Sequence, residues 1–63
     1  MLLQEFVSDD KTLKAQIFEM HYIYKVIFFY KDNVVEIKEY RGKPINIVRD
    51  ICENYVLGIK TYI

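Results

Sequence analysis

Apolar and polar positions alternate one for one from Leu13, where Leu13, Ala15 and Ile17 interleave with Lys14 and Gln16. Period two over this length predicts a strand with one buried face. Upstream, LLQEFV (Leu2 to Val7) alternates in part, with Leu2, Gln4 and Phe6 on one side, and predicts a first strand. The polar run SDDK, Ser8 to Lys11, supplies the turn between them. The stretch YIYKVIFFY, Tyr22 to Tyr30, holds eight apolar or aromatic residues and one lysine, so both of its alternating faces are apolar. One strand from Leu13 to Tyr30 would be long for so small a domain. A break within EMHY, Glu19 to Tyr22, is therefore expected, with the third strand running from Tyr22 to Tyr30. A tight turn through Asp32 and Asn33, residues that tolerate positive φ, then leads into a fourth strand, Val34 to Tyr40.

At RGKP the pattern changes. Gly42 breaks the strand, and Pro44 suits the first turn of a helix, where its missing N–H costs nothing. Ile45, Val48, Ile51, Cys52 and Tyr55 then recur at helical spacing, with Asn46, Arg49, Asp50, Glu53 and Asn54 on the opposite face. Gly58 ends the helix as a residue able to adopt the left-handed conformation, and IKTYI reads as a short extended tail. The fold expected is α+β: an antiparallel four-stranded meander with one C-terminal helix packed on one face, in a single domain spanning 1–63.

In that arrangement Leu13, Ala15, Ile17, Tyr24, Val26, Phe28, Val35 and Ile37 meet the helix and form the core. The rest of the third strand points the other way: Ile23, Lys25, Ile27 and Phe29, joined by Phe18. One helix covers one face. These five residues therefore form the candidate partner interface, since large apolar clusters on an open surface mark interaction sites. The expected occupant is a second copy in a two-fold dimer, with a foreign protein as the other protein candidate. The bland alternative has the Lys25 and Lys38 stems lying across the patch of a monomer.

Size sharpens the expectation. A chain of 63 residues buries only about 60% of its unfolded surface, so small domains lean on disulfides, a metal or association. One cysteine, Cys52, makes no internal disulfide, and one histidine, His21, with one cysteine is too few for structural zinc. No cofactor is expected. The net charge is zero, which speaks against nucleic acid as a partner, since phosphate binding rests on a basic excess. Lys38, Arg41 and Lys43 read as a solvated turn rather than a phosphate site. The nucleic-acid alternative would stack single-stranded bases on Phe18, Tyr22 and Phe29, with Lys14, Lys25 and Lys31 at phosphates. No segment has the roughly 20 apolar residues of a membrane span. MLLQEF lacks the basic start of a signal peptide, so a cytoplasmic location is expected.

Catalytic chemistry has little to stand on. His21 and Glu19 could form an acid–base pair, yet Ser8, Thr12 and Thr61 are scattered along the chain. Cys52 sits mid-helix on the apolar stripe, away from the terminus that would activate a thiol. Asp50 and Glu53 share a helix face, and Arg49 with Glu53 has ion-pair spacing, which suits a solvated surface. The expectation is a protein that is not an enzyme.

From Tyr30 to Ile59 the chain resembles small uncharacterised proteins of tailed phages, of the marine cyanobacterial type. The resemblance lies in a short strand, a Gly-Lys turn and a helix closing on Glu-Asn-aromatic-x-Leu-Gly, here Gly42, Lys43, Glu53, Asn54, Tyr55, Leu57 and Gly58. Pro44, Ile45 and Ile47 depart from the pattern, in which the helix opens with Ser and small residues. The resemblance implies a phage accessory protein acting in the host cytoplasm, where a host protein could be its partner.

Overall fold

The computed structural model describes residues 1–58, and the expected tail from residue 59 onward lies outside them. Four strands, β1 (Leu2–Val7), β2 (Leu13–Met20), β3 (Ile23–Tyr30) and β4 (Asn33–Arg41), precede one helix, α1 (Ile45–Val56). The sheet is an antiparallel meander in the order β1-β2-β3-β4, which makes β1 and β4 its edges. The α+β architecture expected from the sequence is the one observed.

Each connection has its own chemistry. Between β1 and β2 the Asp10 carboxylate accepts hydrogen bonds from the Thr12 N–H (3.0 Å), the Thr12 hydroxyl (2.8 Å) and the Ser8 hydroxyl (2.8 Å). Those donors hold its pKa below the ordinary aspartate value, the Thr12 N–H foremost. The break expected in EMHY is a two-residue turn, His21 and Tyr22, with φ of 44° and 68°. Tyr22 therefore belongs to the turn and not to β3. The next turn is Lys31 and Asp32, at φ of 50° and 66°, rather than Asp32 and Asn33. Asn33 instead opens β4 opposite Tyr30, and its side-chain amide donates to the Lys31 carbonyl at 3.2 Å. Paired positive φ values match the twist of the flanking strands, which is why two-residue hairpins favour them.

The helix begins after Pro44, which is its N-cap with extended backbone (ψ 155°) rather than a first-turn residue. Its carbonyl accepts from the N–H groups of Ile47 and Val48. At the other end Gly58, at φ 79°, donates its N–H to Tyr55, the left-handed closure expected of it. The helix lies chiefly on β2, flanked by β1 and β3, and from β4 Tyr40 joins it in the buried core.

Ala15, Ile17, Val26, Phe28, Tyr40, Val48, Ile51 and Cys52 form the buried core, with Phe6, Tyr24, Ile45 and Tyr55 packed against it. Three expected members are missing, and one of them, Leu13, is only half-buried at the start of β2. Val35 and Ile37 are more than half exposed, and Tyr40 is buried in their place. The cause is register. Phe28 faces Glu36 while Phe29 faces Val34, so Val35 is the extra residue of a bulge. From there Glu36, Lys38 and Tyr40 take the helix side, because they face Phe28, Val26 and Tyr24. A second irregularity, between Leu2 and Gln4, puts Leu2 beside Phe18 on the opposite face from Gln4 and Phe6. The expected grouping of Leu2 with those two is corrected accordingly.

One hydrogen bond ties the helix end to the bulged region of the sheet. The Tyr55 hydroxyl donates to the Phe29 carbonyl at 2.9 Å, while its ring meets Phe28 edge-on at 4.9 Å. Tyr55→Phe is expected to keep the ring contact and lose about 1 kcal/mol of stability, read from urea unfolding. A loss below about 0.3 kcal/mol would show that water replaces the bond without cost.

Candidate functional site: the open face of the sheet

Cross-strand partners share a face, so the register sorts the side chains turned away from the helix. Phe18, Lys25 and Glu39 form one row across β2, β3 and β4. Gln16, Ile27 and Ile37 form the next, followed by Lys14, Phe29 and Val34. Met20, Ile23 and Arg41 complete the far end. From β1, Leu2 joins beside Phe18, Glu5 beside Gln16 and Val7 beside Lys14. Phe18, Ile23, Lys25, Ile27 and Phe29, the five residues singled out from the sequence, thus lie together on this face.

Each of the five is half-buried, because neighbours in the sheet shelter its flanks. Greater exposure falls on the surrounding residues: Leu2, Val7, Met20, Val34 and Ile37 are 41–54% exposed. The sequence reading missed these five. A hairpin register counted back from the Lys31–Asp32 turn places Val34 opposite Phe29. Ile37, however, reaches this face only because of the bulge.

The polar groups here are few and of mixed sign. Lys25 and Glu39 are direct cross-strand neighbours. The Gln16 amide donates to Glu5 at 2.7 Å. The Lys14 ammonium sits 4.5 Å from the centre of the Phe29 ring and 4.0 Å from Asp32. That cation already occupies one side of the aromatic surface on which a base would stack. Lys38, cast as a cover for this patch, lies on the helix side, 3.8 Å from Glu36, and cannot screen it. Lys38 and Arg41 also point to opposite faces, so the basic trio with Lys43 does not converge.

The remaining candidates are dispersed. His21 is exposed in its turn, and Asp50 and Glu53 are exposed on the helix. Among the described residues no three His, Cys, Asp or Glu gather as a metal site would require. Cys52 is fully buried, and loss of solvent pushes its thiol up to about 12. Its thiolate, the reactive form, is suppressed at neutral pH. Among the described residues no helix is long and apolar enough to cross a membrane.

Comparison with known proteins returns no family model, no curated protein and no solved structure that matches the chain.

Proposed function

We propose that the protein is a non-catalytic interaction module that self-associates, as a homodimer, through the open face of its sheet. The observation that carries this reading is the division of the sheet. The helix lies on one side, and the other presents Phe18, Ile23, Ile27 and Phe29 ringed by more exposed apolar residues. Full burial of each large apolar side chain contributes roughly 1.5–3 kcal/mol before the costs of association. Lys25 beside Glu39 gives the face a plus–minus pair, which a second copy turned about a two-fold axis can meet with its own.

The resemblance of residues 30–59 to phage proteins supports a setting for such a module. It would act in the cytoplasm of an infected host, where a host protein could compete for the same face.

Light scattering across a dilution series tests the reading. The native chain should approach twice its 7.6 kDa mass as concentration rises. Ile27→Asp and Phe29→Ser should each raise the dissociation constant by about tenfold or more, a loss of about 1.4 kcal/mol. Both positions face away from the helix, and circular dichroism should show the fold retained. A native chain that stays monomeric at every concentration would sink the proposal. So would salt-sensitive retention on an oligonucleotide column that the same substitutions abolish, which would point to single-stranded nucleic acid.

A further inference from the structure

We propose that β4 is a pairing edge: two copies join by antiparallel contact of their β4 strands about a two-fold axis at Ile37, continuing one sheet into the next. This edge borders the open face and shares Val34 and Ile37 with it, but it pairs through the outer backbone of β4, and the proposal does not depend on that reading.

The two edges of the sheet differ. β1 has six residues, is interrupted between Leu2 and Gln4, and borders the helix. β4 has nine residues, of which only Tyr40 enters the buried core, and no strand lies on its outer side among the described residues. Its outward N–H and C=O groups are a template for another strand. Val34, Val35 and Ile37 are also the most exposed aliphatic side chains of any strand.

Charge selects the occupant and the register. In a two-fold antiparallel pair, the residue that meets its own copy fixes every other partnership. An axis at Glu36, Lys38 or Glu39 opposes like charges, which is destabilising. An axis at Tyr40 leaves only the end of the strand to pair, and one at Val35 falls on the bulge. An axis at Ile37 packs isoleucine on isoleucine and sets Glu36 against Lys38 of the second copy, twice. The 3.8 Å contact between Glu36 and Lys38 within one chain then becomes part of a four-charge cluster of alternating sign. The bulge lies to one side of these central pairs and limits the ladder to them, a device that holds an edge to one partner.

Glu36 and Lys38 point to the helix side, so their substitution leaves the open face untouched. Glu36→Lys and Lys38→Glu, made separately in the full chain, should each weaken self-association by about tenfold or more. Mixing the two variants should restore it, since one copy then carries two lysines and the other two acidic residues. No effect confined to a single chain predicts that rescue. The proposal is overturned if either variant associates like the native chain, if the mixture fails to regain affinity, or if the native chain is monomeric throughout. Ile27→Asp separates the two surfaces. Association lost with Ile27→Asp but indifferent to both charge reversals sustains the open face and eliminates the edge. The converse pattern eliminates the open face and sustains the edge.

Discussion

Ile17→Ala should lower the melting temperature by about 10 °C or more, whereas Ile37→Ala, measured on dilute monomer, should move it by no more than a few degrees. Ile17 is fully buried on β2, paired with the equally buried Val26 beneath the helix that contributes Val48 and Cys52. Removing its outer carbons forfeits their transfer energy and leaves a cavity, at a cost of about 2–5 kcal/mol. A domain of this length has roughly 3–9 kcal/mol in total, so the variant sits at or below the edge of folding at 37 °C. Ile37 is 52% exposed and surrenders far less. Simple alternation assigns both isoleucines to the core, so the contrast tests the bulge directly. Equal losses at the two positions would mean that β4 is paired in the other register.

Alkali should unfold the protein well before it unfolds a domain with exposed thiols and phenols. The Cys52 thiol is pushed from its ordinary value of 9.0 up to about 12 by burial. Tyr40 is raised by burial first, then by the negative charges of Cys52 and Glu36, and Tyr55 by burial and then Glu36. A raised pKa means that the folded state holds its proton after the unfolded chain has released it. The unfolded state then binds fewer protons, and stability falls as pH rises. For Cys52 the contribution is intact below about pH 9 and is lost progressively toward 12, amounting to at most about 4 kcal/mol over three pH units. Urea midpoints should therefore be flat to about pH 9 and decline steeply above it. In Cys52→Ala the decline should be shallower by up to about 1.4 kcal/mol per pH unit, leaving the part due to the tyrosines. An unchanged slope would show that the thiol is not shielded as its position implies.

Much of the fold is legible because local pattern and tertiary demand agree. Period two over Leu13–Ile17 and helical spacing from Ile45 to Tyr55 each have a single outlet in burial. The helix stripe lands on the sheet as expected, with Val48, Ile51 and Cys52 buried and Ile45 and Tyr55 packed against the core. The open face was legible for a related reason, since an apolar run on both sides of β3 cannot be satisfied by one rod. The bulge was not legible. A single extra residue at Val35 leaves no mark in composition, yet it reverses which side chains of β4 face inward. Alternation then favours Val35 and Ile37 as core, whereas the bulged register gives the inward place on β4 to Tyr40. The turn at His21 and Tyr22 was less legible, since Tyr22 is not a customary carrier of positive φ and no Gly, Asn or Asp marks the place.

The order of elements has a consequence for folding. Among the described residues every strand is complete by Arg41, and the helix that roofs Ile17, Val26 and Phe28 follows them. Until α1 docks, a formed meander has both sides bare. Its greasiest surface is then the one α1 will claim. A second unfolded chain could seize that surface first, so refolding at high concentration should lose yield to aggregation.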